Sequence, residues 1–437
     1  MTKVVTFAIC GFGIRGMEAY ASYQKKAPEQ MKITAVADPD PERLLIAQRE
    51  YGVDPSFCFS SAEELLQQPR LADIMIIATQ DRQHVSQALP AMEKGYHLLL
   101  EKPISPDLDE CIALQKKAHE CNRIVVVCHV LRYTQFYSTI KALLEKGTIG
   151  TIQSLDAIEN VAYWHYAHSF VRGNWRRTEE SSPMILAKSC HDMDIIRWLV
   201  GVPCERVSSY GSLSLFKADK APAGAAKRCL DGCACKQDCP YDAEKIYLSN
   251  DRSGYRSGNR EWPLTVLSNN PTEKSLYEAL KTGPYGRCVY YSDNDVVDHQ
   301  TVNMEFQGGA TATFTMSAFT QGCYRTVKIM GTLGEIEGDM ESNEIRVRVF
   351  GKPDSVLELG SLPDRFAGHG GGDAKMMEYV CRMLAEGDDH ALTSVDASVE
   401  SHVMALAAEE SRIHGGNSVT LELFAGGTPD ISTTKGA

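Results

Sequence analysis

The stretch KVVTFAICGFGIRGMEAY constrains this chain more than any other. A run that reads as a buried strand, Lys3 to Cys10, meets Gly11, Gly13 and Gly16 in G-x-G-x-x-G register, and apolar residues at helical spacing follow. Glycines there allow a tight turn and close backbone approach, and the N-terminus of the next helix faces the turn, an arrangement that suits a pyrophosphate. A second strand, KITAVAD, ends on Asp38, about 20 residues beyond the last glycine, where a carboxylate binds the hydroxyls of an adenine ribose. Together these features predict a dinucleotide site with the cradle Gly11, Phe12, Gly13, Ile14, Arg15 and Gly16. The plainer reading is a glycine turn with Asp38 capping the following helix. Asp38 favours NAD over NADP, because a carboxylate repels a 2′-phosphate. Arg15 and Arg43, either of which could swing toward such a phosphate, keep NADP open.

The alternation continues. PERLLIAQREYG reads as a helix stopped by glycine, and ADIMIIAT, HVSQALPAMEKG, HLLLEKP, LDECIALQKKAHECN and RIVVVCHV repeat strand and helix. That pattern belongs to a parallel sheet wound with crossover helices, so residues 1–130 are expected to form an α/β Rossmann domain. A chain of 437 residues is longer than one core usually serves, which leaves 131–437 for a second domain. There strands follow one another without helices, as in RVSSYGSLSLF, TVNMEFQ, ATATFTMSAF, RTVKIMG and EIRVRVF. They predict an α+β domain with a large, mostly antiparallel open sheet, available for substrate binding and oligomerisation. Polar, Gly- and Cys-containing sequence at about 217–287 interrupts the pattern and reads as an insertion.

Composition narrows the partners. With 43% hydrophobic and 23% charged residues the chain is neither disordered nor fibrous, and a formal net charge of -12 argues against nucleic acid and anionic membranes. No stretch resembles a signal peptide or is apolar enough to span a bilayer, so a cytoplasmic location is expected.

LLLEKPIS ends a leucine run on Glu101, Lys102 and Pro103. Proline biases the preceding residue away from helical geometry, and open α/β sheets bind ligands at the carboxyl ends of their strands. Lys102 is therefore either a working amine aimed into that crevice or half of an ion pair with Glu101. IATQDRQH brings Thr79, Gln80 and His84 to the end of the preceding strand, where His84 reads equally well as a helix-surface residue.

The glycine turn, the acid ending strand two, EKPI and the RY of VLRYTQFY together resemble the glucose-fructose oxidoreductase and inositol dehydrogenase family, Gfo/Idh/MocA, over essentially the whole chain. The resemblance implies that Glu101 and Lys102 border the cofactor, that Lys102 stands beside nicotinamide and the reacting hydroxyl, and that Arg132 and Tyr133, beside His129, line the substrate side. It also implies a homodimer or homotetramer. In ILAKSCHDMDIIRWLVG the apolar residues mark a helix with His191 at its start, and Lys188 and Asp194 lie three residues to either side. The family carries D-x-G-x-H-x-x-D here. His191 and Asp194 match, whereas Ala187 replaces the first acid and Lys188 stands next to it. Histidine suits proton exchange near neutral pH, so His191 is expected as the acid/base partner of Lys102, with Lys188 a further catalytic candidate.

NVAYWHYAHSFVRGNWRR offers His168, Arg172 and Trp175 to a sugar ring, or else supplies sheet core and a solvated basic face. FAGHGGGDAKMMEYV sets His369 in a glycine loop before Asp373, a natural N-cap, and a similar loop borders the sugar in family members that handle glycosides. RCLDGCACKQDCPYDA supplies Cys229, Cys233, Cys235 and Cys239, four thiols able to surround a structural Zn²⁺. The spacing is not a standard one, and free thiols, a disulfide or an iron-sulfur cluster remain open.

The resulting expectation is an NAD(H)-dependent oxidoreductase that moves hydride between nicotinamide and a ring hydroxyl carbon of a sugar, glycoside or cyclic polyol. One alternative is an NAD-dependent glycosidase or lyase working by transient C3 oxidation and elimination, suggested by Ala187 and the loop at His369. Another is a non-catalytic dinucleotide sensor, against which Lys102 and His191 argue.

Overall fold

The computed structural model of the chain describes residues 3–360 and 370–426. Strands β1 Val5–Cys10, β2 Met31–Ala37, β3 Cys58–Phe59, β4 Ile74–Ile77, β5 His97–Leu100 and β6 Val125–Val127 form one sheet in the order β3-β2-β1-β4-β5-β6. Every pairing in it is parallel. Strand order reverses at β1, with β2 on one side and β4 on the other, so the loops after β1 and β4 open a crevice at the carboxyl edge. IMII and VVV are buried throughout, as strands covered by helices on both faces must be.

The second sheet contains β7 Ile152–Asn160, β8 Cys204–Ser212, β9 His299–Phe306, β10 Thr311–Ser317, β11 Tyr324–Gly331, β12 Gly334–Asp339, β13 Glu344–Val349, β14 Ser355–Glu358 and β15 Val419–Thr420. Its order is β14-β13-β12-β11-β7-β10-β9-β8-β15. Only β7 and β10 run parallel. Alternating burial along β9 and β10 leaves one face packed and the other open. Helices Cys190–Val200 and Val395–Ile413 pack against that sheet and against each other.

Two features depart from the sequence pattern. The helix Gly372–Glu386 packs with the first core, where Met376, Met377, Val380, Cys381 and Met383 join Val5, Phe7 and Tyr20. The insertion carries core residues: Tyr241, Tyr247, Leu264, Leu276 and Tyr285 are buried and continue the core of the second domain. Among the described residues, no helix is long and apolar enough to cross a membrane.

Candidate active site

The turn after β1 needs its glycines. Gly11 holds φ +87°, and a Cβ there would stand 2.5 Å from the Ala78 carbonyl oxygen; a Cβ on Gly16 would stand 2.0 Å from that of Gly11. The helix opens at Ile14–Ala21 from Gly13, which offers no capping side chain, and no acid sits in its first turn. Its leading N–H groups are thus left to an outside acceptor, and a pyrophosphate fits. Asp38 closes β2 against this turn: Oδ2 accepts from the Phe12 N–H at 2.7 Å and Oδ1 from the Asp40 N–H at 2.9 Å, with Arg43 at 3.4 Å. A carboxylate so fixed beside a glycine turn fits the adenosine end of NAD. Phe12 contributes only backbone, since its ring is buried edge-on to Tyr51.

Arg15 is occupied otherwise than the turn alone suggests. Its Nε donates to Glu101 at 2.5 Å, and its Nη2 donates to Asp373 and to the Tyr20 hydroxyl, each at 2.6 Å; Tyr20 in turn donates to Glu101. Burial pushes the Glu101 carboxyl up, but the charges of Arg15 and Lys102 and these hydrogen bonds outweigh it and hold the group below the usual carboxylate range. Asp373 is not the N-cap of its helix; Gly371 is, and Asp373 lies in the first turn, clasped by Arg15.

Glu101 is therefore spent on Arg15, and the ion pair with the Lys102 amine does not form. The Lys102–Pro103 peptide is cis. His84 is buried, with Nδ1 2.7 Å from the Pro103 oxygen and Nε2 3.2 Å from the Thr79 oxygen, so it braces the lysine turn and is not a helix-surface residue. The Thr79 hydroxyl donates to Gln87, and the Gln80 N–H donates to Gln83. Lys102 Nζ crosses to the second domain and donates to the Ala187 carbonyl oxygen at 2.9 Å. Among the described residues no carboxylate pairs with that amine.

Ala187 leads into the helix Cys190–Val200, which starts with His191, almost fully buried. Its ring lies edge-on to His129 at 5.8 Å, and His129 lies edge-on to His402 at 5.6 Å. His402 Nε2 accepts from the Ile104 N–H at 2.8 Å while Nδ1 faces the Ser398 oxygen at 2.6 Å, which fixes the neutral tautomer with its proton on Nδ1. Burial and the neighbouring His129 push the His402 pKa down to about 3. Burial, then Arg132 and Lys102, push His129 well below its ordinary value. His129 has no exposed surface and backs the His191 ring.

Other expected substrate groups are also occupied. Arg132 and Asp194 form a bidentate pair at 2.8 and 2.6 Å, with Arg132 also donating to the Leu392 oxygen; both side chains are buried. Replacing Asp194 by Ala leaves a buried uncompensated guanidinium and is expected to lower stability by about 3–5 kcal/mol, read from the urea midpoint; a loss under about 1 kcal/mol would contradict the pairing. Tyr133 bonds Thr393 at 3.0 Å. Lys188 pairs with Glu159 at 3.3 Å, Glu159 with Arg325 at 2.8 Å and Arg325 with Asp192 at 2.7 Å, a balanced buried chain of two acids and two bases. Lys188 accordingly positions the segment before His191.

His168 is stacked on Tyr285 and bonded to the Tyr247 hydroxyl at 2.9 Å, and burial takes its pKa down to about 3. Arg172 is wholly buried against the insertion, and Trp175 donates to Asp81, which also accepts from the Ser181 and Ser182 hydroxyls. His168 and Arg172 are thus core of the insertion, while Trp175 and Asp81 pin its approach to the loop after β4. His369 lies outside the described residues. Tyr20, Asp81 and His402 carry no short-range sequence signal, because each acts on a partner remote in the chain.

Comparison with known proteins places the fold in a family. Residues 5–129 match the family described as "Oxidoreductase family, NAD-binding Rossmann fold", and residues 141–421 match its "C-terminal alpha/beta domain". The chain is 24% identical over 389 residues to the putative oxidoreductase YteT of Bacillus subtilis, covering 84% of this chain and 86% of that protein. It is 26% identical over 213 residues to scyllo-inositol 2-dehydrogenase (NAD(+)) of the same organism, covering 49% of this chain and 59% of the relative. A solved levoglucosan dehydrogenase, in complex with NADH and levoglucosan, shares the fold with TM-score 0.69 at 17% identity, covering 96% and 99% of the two chains. The chain belongs to the Gfo/Idh/MocA oxidoreductase family, with an NAD-binding Rossmann domain followed by that family's C-terminal α/β domain.

Proposed function

We propose that the chain is an NAD(H)-dependent dehydrogenase of a sugar, glycoside or cyclic polyol. The observation that carries this reading is the Lys102 amine, held at the crevice edge by the Ala187 carbonyl without a carboxylate partner. NAD, when bound, supplies the hydride acceptor. The glycine turn and Asp38 orient it, and Arg15, Glu101 and Tyr20 fix the turn that presents Lys102. Lys102 takes the hydroxyl proton as the C–H hydride leaves the same carbon, and His191, backed by neutral His129, is the second proton-transfer group. Reduction runs the same steps backward. A dimer or tetramer joined through the open face of the second sheet, which exposes Ile158 and Tyr210, goes with this reading, and light scattering tests it.

Ala187 favours one other reading, because the acid expected there is absent and Lys102 meets a backbone carbonyl instead. It is a redox-assisted glycoside cleavage, in which oxidation at C3 acidifies C2–H, the aglycone is eliminated, and the hydride returns. One assay separates the two: free sugars, polyols and aryl glycosides are screened while NADH absorbance and aglycone release are followed together. NADH formed in proportion to substrate consumed, without cleavage, supports the dehydrogenase; aglycone release without NADH overturns it. Asp38→Asn is expected to raise the NADP-to-NAD preference about 10–100-fold, since a charged acceptor is worth about 1.5–3 kcal/mol and its repulsion of a 2′-phosphate goes with it. An unchanged ratio of kcat/KM values would remove Asp38 from the ribose site.

A further inference from the structure

We propose that Cys229, Cys233, Cys239 and Cys288 form a tetrathiolate site for a structural zinc ion, with Arg172 as its buried counter-cation. The linear cluster predicts Cys235 as the fourth ligand, but the fold supplies a different one. Cys288 lies far along the chain, yet Arg228 and Arg287 form an antiparallel bridge, with the Cys229 N–H donating to the Gly286 oxygen and the Cys288 N–H to the Lys227 oxygen. That bridge sets Cys229 and Cys288 side by side. All five cysteines line one small pocket. Cys235 stands on its exposed side, where Sγ lies against the Ala223 oxygen at 3.2 Å as well as beside the Cys233 thiol, so the other four are assigned as the ligands.

The sulfurs ring the pocket, with the Cys233 and Cys235 thiols in contact. Among the described residues, no three of them lie within 4.8 Å, so a bound ion has to draw the side chains inward.

Arg172 is the independent observation. Its Nε donates to the Arg287 oxygen and its Nη2 to the Tyr241 oxygen, each at 2.8 Å; Nη2 also reaches Cys229 Sγ at 3.7 Å, and Nη1 is buried with no partner. Among the described residues no carboxylate pairs with it, so carbonyl dipoles and the neutral Tyr247 hydroxyl face a wholly buried cation. A buried charge left so is expensive. Four thiolates on Zn²⁺ carry a net double negative charge against this guanidinium, whereas free thiols or two disulfides carry none. The metal would then tie the two ends of the insertion together beside the segment that carries His168.

Metal analysis of the full-length protein, purified without chelator from zinc-supplemented medium, tests this. About one zinc ion per chain is expected, released by a mercurial reagent. Cys288→Ser should lower the bound zinc about tenfold or more, and Cys235→Ser should leave it unchanged. Arg172→Leu should weaken retention against a chromophoric chelator by about 10–100-fold, the usual effect of a group supporting a ligand. Wild-type protein that neither carries zinc nor takes it up on titration overturns the proposal even if a variant fails to fold. So does iron in place of zinc, or full zinc in Cys288→Ser.

Discussion

Lys102→Met is expected to bind NADH as tightly as the parent and to turn over its sugar or polyol about 10²–10⁴-fold more slowly, the ordinary contribution of one positioned proton-transfer group. That corresponds to about 2.7–5.4 kcal/mol of transition-state stabilisation. Methionine keeps the unbranched stem, so packing around the turn survives, and the turn itself is fixed by His84 on the Pro103 carbonyl and by Glu101 on Arg15. Neither brace uses the Lys102 amine. What disappears is the donor to the Ala187 carbonyl and the base facing the crevice. Dinucleotide affinity, read from NADH fluorescence, should hold because the proposed site is made by backbone groups of the glycine turn and by Asp38. Turnover within a factor of about three of the parent would move proton transfer to another group, His191 first; lost NADH binding would show that the lysine holds cofactor instead.

The parts of this site that could be read in the sequence are those whose cause is local. Gly11 and Gly16 are demanded by atoms within one turn and an adjacent strand end, and the parallel sheet follows from strands buried on both faces. Arg15 shows where local reading stops. Inside G-x-G-x-x-G it looks like a phosphate ligand, but its partners Glu101 and Asp373 arrive from 86 and 358 residues away. Arg132 and Asp194 sit in motifs that point to substrate, and only folding reveals that they neutralise each other across 62 residues. The insertion hid its core for a related reason. Its aromatic residues follow no helical or strand period, because they converge on His168 from separate short turns.

Between pH 7 and pH 5 the protein is expected to lose about 4 kcal/mol of folding stability or more, beyond what histidine-free proteins of this size lose before their carboxylates protonate. His168 and His402 have pKa values lowered to about 3, and His129 is pushed well below its ordinary value. Burial is the largest cause in each case; Arg172 adds to it at His168, His129 at His402, and Arg132 and Lys102 at His129. Folded, these rings stay neutral, whereas unfolded they take up protons near pH 6.5. The unfolded state therefore binds more protons below that value, so stability is fully present above it and falls as pH drops toward the folded pKa values. At about 1.4 kcal/mol per pH unit for each ring, His168 and His402 give the stated loss by pH 5, and His129 adds to it in the same direction. Urea midpoints followed by far-UV circular dichroism at pH 7, 6 and 5 should fall steeply with an unchanged denaturant slope. Removing one ring by His402→Gln should flatten that dependence by about a third to a half. A midpoint that stays put between pH 7 and pH 5 would mean that these histidines are reached by water and protonate in the folded protein, which would also undo the neutral His129 placed behind His191.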